Sequence, residues 1–193
     1  MRRTPKKHSS EDALYAAALR ALARRAYSVH EMRKWLERRA ESRSLADAAL
    51  VRLKERGYLD DARYARQFAR TRVEGRRLGR FRVARDLRAR GVPDRHIEAA
   101  LDEVFAETDQ AALLRKRLER KLRSLRNRRR PSADLGRHGS LPGLDRRALA
   151  SLYASLLRAG FPSDMIRREL HSLSKGTELP EVEPLENTEE QHG

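Results

Sequence analysis

Residues Leu53–Phe68, LKERGYLDDARYARQF, decide the fold class. Gly57 ends one amphipathic segment, because glycine takes the left-handed conformation that follows many helices without strain. Asp60 or Asp61 begins the next segment, since an aspartate carboxylate accepts hydrogen bonds from the free N–H groups of a first helical turn. The stretch therefore predicts two helices joined by a short turn.

The same helical pattern extends from residue 13 to residue 173, and no stretch alternates in the manner of a strand. Ser28 and Glu31 have the spacing of a capping box, in which each side chain accepts from the other residue's backbone N–H. Ser44 and Asp94 are predicted to cap two further helices. Nine helices are predicted in all.

An internal repeat organises these helices. A shift of 51 residues places Met32 on Val83, Leu36 on Leu87 and Leu50 on Leu101, so that apolar positions coincide. Leu87 to Val92 recurs as Leu156 to Phe161, after a shift of 69 residues. Units this small cannot bury their apolar faces alone. We therefore predict an all-α protein with three tandem three-helix repeats that form an elongated, curved array.

The repeat divides the chain into segments. Repeats are predicted at residues 13–57, 58–107 and 108–174, with a basic loop inserted at residues 126–144, where prolines and glycines interrupt the helical pattern. A basic N-terminal arm, residues 1–12, precedes them. Residues 175–193 hold six glutamates and one lysine and are predicted to be a disordered acidic tail.

The charge balance indicates a polyanionic partner. Lys and Arg number 44 against 28 Asp and Glu, which gives a net charge of +16. Such an excess favours nucleic acid or a nucleoprotein. The chain has no cysteine, which is typical of a reducing compartment, and no apolar stretch of membrane-spanning length. The sequence therefore predicts a cytoplasmic protein that does not bind a membrane.

Catalytic chemistry is not expected. The six histidines are scattered without metal-ligand spacing, and no glycine-rich phosphate loop is present, so we predict no cofactor, no metal site and no enzymatic activity. The Asp60–Asp61 pair is better explained as a helix cap than as paired catalytic carboxylates. Tyr58, Tyr64 and Phe68 have helical spacing, which favours core packing over stacking on bases.

These motifs resemble the RecX family. The resemblance is carried by Ser28-x-x-Glu31, by residues 53–68 with Gly57-Tyr-Leu-Asp-Asp61, by Leu87-x-x-x-Gly91-Val92 and by Gly160-Phe161, and it covers residues 13–173. It implies tandem three-helix units that bind RecA and RecA filaments on single-stranded DNA, and we expect the chain to be a monomer. It further implies inhibition of RecA ATP hydrolysis and strand exchange, in DNA repair, recombination and the SOS response. The basic loop and the acidic tail depart from the family pattern.

Two basic clusters supply the candidate contacts with RecA or DNA, one around the fourth and fifth helices and one along the seventh. The candidates are Arg63, Arg66, Arg76, Arg77, Arg80, Arg82, Arg115, Lys116, Arg120, Lys121, Arg128, Arg129 and Arg130. Contacts of this kind position a phosphate backbone without reading base sequence. A free-standing helical DNA-binding protein is the alternative, because short junctions between helices also suit a helix-turn-helix.

The acidic tail predicts an effect of truncation. A polyanion beside a basic surface competes with DNA for that surface. A chain ending near Ser174 should therefore bind single-stranded DNA more tightly than the full chain at low salt, as measured by fluorescence anisotropy. Equal affinities of the two chains would rule out this competition.

Overall fold

The computed structural model describes residues 7–128 and 146–173, and within them every regular element is a helix. The helices are α1 (Glu11–Leu22), α2 (Val29–Glu37), α3 (Arg43–Glu55), α4 (Asp61–Arg76), α5 (Arg80–Arg88), α6 (Asp94–Ala106), α7 (Gln110–Arg128), α8 (Arg146–Arg158) and α9 (Ser163–Leu173). The all-α prediction is confirmed. Residues 1–6 of the predicted arm, nearly all of the predicted loop and the whole acidic tail lie outside the described residues.

Three hydrophobic clusters divide the helices into triplets. Leu14, Met32 and Leu36 belong to a cluster built by α1–α3, the first unit. A second cluster is built by α4–α6, the second unit, and a third by α7–α9, the third unit. Leu113 packs against both the second and the third cluster, which joins those units. The exact bounds and the curvature predicted for the repeats stay predictions.

The helix starts follow the sequence at some positions and depart from it at others. The predicted capping box of Ser28 and Glu31 is present at the start of α2. Asp60 caps α4, since its Oδ1 accepts from Ala62 N at 2.9 Å and from Arg63 N at 3.0 Å. Those backbone bonds lower the pKa of Asp60, the bond from Arg63 most.

Two predicted caps are wrong. Ser42, not Ser44, caps α3, because α3 begins at Arg43 and Leu45 N donates to Ser42 Oγ at 3.2 Å. Asp94 is the first residue of α6 rather than its cap, since Pro93 holds the cap position with a φ of −61°. The Asp94 carboxylate instead accepts from Arg88 Nε at 2.7 Å.

A repeated hydrogen bond joins consecutive units. Ser28 Oγ at the start of α2 donates to the carbonyl of Arg90 at 2.6 Å. Gly79 N, at the start of α5, donates to the carbonyl of Ala159 at 2.8 Å. Ser28 and Gly79 are equivalent under the shift of 51 residues, and Arg90 and Ala159 under the shift of 69. Equivalent positions therefore make equivalent bonds, which supports the repeat found in the sequence.

We call the contact between the first and second units the first junction and that between the second and third units the second junction. The second junction needs glycine on both sides. A Cβ atom on Gly79 would overlap the Gly160 carbonyl, and one on Gly160 would overlap the backbone of Arg82. Gly160 also has a φ of +89°, which side chains rarely adopt. The two units therefore approach backbone to backbone at this point.

The N-terminal arm makes the corresponding contact with the first unit. Arg39 is equivalent to Arg90, and its carbonyl accepts from His8 N at 2.7 Å, while Glu41 N donates to the carbonyl of His8 at 3.1 Å. His8 and Ala40 thus form an isolated parallel bridge. His8 thus supplies to the first unit the hydrogen bond that the preceding unit supplies to the second and third units.

The junction bond predicts different costs for two serine substitutions. Ser42→Ala removes a helix cap, worth about 1 kcal/mol, and an exposed hydrogen bond to the hydroxyl of Ser44, but no bond between units. Ser28 is fully buried, so that Ser28→Ala also leaves the Arg90 carbonyl without its donor and should cost about 2–4 kcal/mol in total. Urea unfolding of the two variants measures the difference. Equal losses of unfolding free energy would show that the bond between the units contributes nothing.

Candidate nucleic-acid interface

One face of α4 carries a row of aromatic and basic side chains. Tyr64, Phe68, Arg72 and Arg76 are spaced four residues apart and so lie along one side of the helix. The adjacent side of α4 is buried, with Ala65 and Ala69 fully enclosed in the second cluster. Packing of that buried side fixes the rotation of α4, so that the row runs from the buried Tyr64, a member of the second cluster, to the exposed Arg76.

Phe68 lies between the protein core and two guanidinium groups. The guanidinium carbons of Arg72 and Arg90 are each 4.6 Å from its ring centroid. The ring also packs against the second cluster and stacks on Tyr64 with centroids 6.0 Å apart. The core packing predicted for Phe68 is therefore observed for part of the ring only. The other contacts hold two cations in fixed positions.

Arg72 and Arg90 form no ion pair with a carboxylate of the described residues. Arg90 Nη1 donates to the Asp86 carbonyl at 2.7 Å, which is a bond to the backbone. Burial lowers the pKa of Arg72, and the nearby charges of Arg76 and Arg90 lower it further. An arginine stays protonated despite such a shift. The row is therefore a concentration of positive charge.

Arg117 extends the positive charge across the second junction. From α7 its Nη1 donates to the carbonyl of Arg76 at 2.6 Å and, more weakly, to that of Arg77 at 3.4 Å. Its Nε is buried without a hydrogen-bond partner among the described residues. Burial lowers the pKa of Arg117 most, followed by the charges of Arg120, Arg77 and Arg82.

A half-buried cation among other cations is unfavourable unless an anion approaches it. The carbonyls at the end of α4 offset part of the charge of Arg117, because the C-terminal end of a helix carries partial negative charge. No carboxylate contributes to the shift of its pKa. We call the connected set the arginine face; its residues are Phe68, Arg72, Arg76, Arg77, Arg90, Arg117 and Arg120.

The predicted site residues separate into two groups. Four of them form ion pairs within the chain: Arg80 with Asp102 at 2.6 Å, Arg82 with Asp86 at 2.8 Å, Arg66 with Glu103 at 3.8 Å and Arg115 with Glu169 at 2.9 Å. Arg63 donates instead to the carbonyl of Gly57 at 3.1 Å. These side chains are partly occupied by contacts inside the protein.

The other predicted residues are not paired within the described chain. Arg76, Arg77, Lys116, Arg120 and Lys121 form no ion pair among the described residues. The side chains of Arg128, Arg129 and Arg130 lie outside the described part of the chain. The unpaired group belongs mainly to the end of α4 and the exposed side of α7.

Three arginines of the arginine face were missed in the sequence, namely Arg72, Arg90 and Arg117, and Phe68 was assigned to core packing only. The spacing of Phe68 and Arg72 was a signal that could have found one of them.

The prediction that Tyr58 packs in the core is wrong. This residue is 49% exposed and lines a cavity of about 630 Å³ between the first and second units, together with Tyr27 and Tyr64.

Comparison with known proteins identifies the family. The model of the RecX second three-helix domain matches residues 60–101. The chain is 35% identical over 159 residues to regulatory protein RecX of Halorhodospira halophila. This alignment covers 82% of this chain and 87% of that protein. The chain belongs to the RecX family. Over 112 residues it is 45% identical to a regulatory protein RecX of Thermus thermophilus, covering 58% of this chain and 77% of that relative.

Solved structures of RecX proteins share the fold. RecX from Lactobacillus salivarius superposes with a TM-score of 0.63 at 21% identity, over 86% of this chain and 97% of that one. The RecX relatives matched by sequence are named regulatory proteins rather than enzymes. The described residues hold no group of three or more histidine or carboxylate side chains placed to bind a metal ion. No described helix is long and apolar enough to cross a membrane.

Pairing within the chain predicts which arginines matter for nucleic-acid binding. Arg76→Ala with Arg120→Ala removes two unpaired cations, whereas Arg66→Ala with Arg115→Ala removes two paired ones and changes the net charge equally. The first pair should lower the slope of log K against log salt for single-stranded DNA by about 1.4, because each phosphate contact contributes about 0.7. The second pair should change the slope much less. Equal changes would mean that only net charge matters.

Proposed function

We propose that this chain regulates homologous recombination by binding RecA and RecA filaments on single-stranded DNA in the cytoplasm, as a monomer. Membership of a family whose members are named regulatory proteins supports a regulatory role. The observation that carries the proposal further is the arginine face, which spans the second and third units and whose cations form no ion pair within the described chain. A polyanionic filament offers the phosphates or carboxylates that such a surface needs.

The units suit a partner that is itself a polymer. Hydrogen bonds at equivalent positions join successive units, so that each unit is available to contact a different part of an extended partner. Several weak contacts along a filament add to a high overall affinity without a deep pocket in any one unit. Bridging successive RecA protomers in this way would restrain the rearrangements that ATP turnover and strand exchange require. Inhibition of both reactions follows from the proposal.

We further propose that the chain acts by binding and catalyses no reaction. Asp60, one of the two paired carboxylates, is committed to the cap of α4. Asp61 Oδ1 accepts from Val29 N at 2.9 Å across the first junction. Both aspartates thus accept hydrogen bonds from backbone N–H groups, which supports a structural role for the pair.

Titration of RecA ATPase on single-stranded DNA tests the proposal. The unchanged chain should inhibit ATP hydrolysis in a saturable manner, and Arg76→Ala with Arg120→Ala should require about tenfold more protein for half-inhibition, as expected for the loss of about 1.4 kcal/mol of binding free energy. Arg66→Ala with Arg115→Ala is the matched control and should stay close to the unchanged chain. No effect on RecA ATPase, together with sequence-specific binding to duplex DNA without RecA, would instead favour a free-standing DNA-binding protein.

A further inference from the structure

A pocket in the first unit concentrates arginines away from the arginine face. It lies between α1 and α2 and has a volume of about 500 Å³, which is within the range of ligand sites. Its floor includes two alanines of α1, which leave space above the helix. The side chains around that space are Arg20, Arg24, Arg25, Tyr27, Trp35 and Arg39. None of the lining residues is acidic.

Two of these arginines have no counter-charge among the described residues. Arg20 and Arg24 form no ion pair within that part of the chain. They stand four residues apart, in the last turn of α1 and just beyond it, where like charges repel each other. Arg25 is compensated, since its Nη1 lies 3.3 Å from Glu31 Oε2. The uncompensated charge of the pocket is therefore concentrated at Arg20 and Arg24.

The other side of the pocket consists of guanidinium groups stacked on aromatic rings. The guanidinium carbon of Arg39 is 4.1 Å from the Trp35 ring centroid, and that of Arg25 is 3.6 Å from the Tyr27 centroid. Stacking of this kind fixes the plane of a guanidinium and leaves its outer face available to another planar group. Desolvation lowers the pKa of Arg39, and the charge of Arg38 lowers it further.

We propose that this first-unit pocket binds one nucleotide unit of a single-stranded nucleic acid, with the phosphate on Arg20 and Arg24 and the base against the Arg39–Trp35 stack. Cations beside flat stacking surfaces are the combination that single-stranded nucleic acids require. A duplex does not offer its base faces, so that it could use only the cations. An isolated acidic peptide would likewise leave the stacked surface unused. The inference shares with the proposed function only the nature of the ligand, and it does not require RecA.

Trp35 provides a direct test, because it is the chain's single tryptophan. Addition of a short oligothymidylate to the full chain should quench Trp35 fluorescence in a saturable manner. The same strand annealed to oligoadenylate should quench weakly, and polyglutamate should not quench. Absence of quenching by the single strand, or equal quenching by the duplex, would overturn the assignment.

Charge reversal then locates the phosphate. Arg20→Glu with Arg24→Glu should weaken binding about tenfold or more, through two lost phosphate contacts. Lys34→Glu with Lys54→Glu is the matched control: both lysines are exposed, lie in the same unit and form no ion pair in the described chain. The control should weaken binding only slightly. Equal weakening by both reversals would show that binding depends only on net charge, and the proposed site in the pocket would then be wrong.

A milder variant provides a second test in case the charge-reversed chain does not fold. Arg20→Gln with Arg24→Gln removes the charge without adding repulsion, and circular dichroism verifies the helical content of each variant. This variant should reduce the quenching by an intermediate amount. The outcome is independent of RecA ATPase: if the unchanged chain inhibits RecA but the single strand does not quench its Trp35, the pocket assignment alone is wrong, whereas quenching of the unchanged chain without any RecA inhibition would contradict the proposed function alone.

Discussion

The arrangement of the molecule depends on a backbone carbonyl at the end of the second helix of each unit. The carbonyls of Arg39, Arg90 and Ala159 all accept a hydrogen bond from an earlier part of the chain. A buried carbonyl without a donor costs roughly 1–3 kcal/mol, so each of these bonds favours one placement of the segment that supplies the donor. His8 and Gly79 use their backbone N–H as the donor, whereas Ser28 uses its hydroxyl group. The chemistry of the donor varies while the accepted bond stays the same.

The placement of the cations follows from these junctions. Arg90 contributes its carbonyl to the first junction and its guanidinium to the ring of Phe68. Arg117 reaches from the third unit to the last carbonyls of α4 in the second. A shift between the second and third units would therefore move Arg117 away from the cations of α4. Fixed cations lose less conformational entropy on binding than mobile ones, which favours association with a polyanion.

Sequence periodicity predicted the helices because they depend on local spacing, and the repeat at shifts of 51 and 69 residues predicted their grouping. The capping box of Ser28 and Glu31 requires only residues three apart, and it is present. The start of α3 was misplaced because Ser42 and Ser44 both suit a cap. Their hydroxyl oxygens lie 2.9 Å apart. The bridge between His8 and Ala40 fixes the chain just before this start, and such a contact between distant residues has no local signal.

The candidate interface was less predictable because ion pairing is a property of the folded chain. Arg115 pairs with Glu169, and Arg80 with Asp102, across separations that periodicity does not encode. Exposed pairs of this kind contribute little to stability, but they reduce the charge available to a partner. Each pair removes one cation and one anion, so pairing leaves the net charge of +16 unchanged, and that number says nothing of which cations stay unpaired or where they lie. Where unpaired arginines are stacked on Phe68 or Trp35, the fold converts an excess of charge into surfaces with defined geometry.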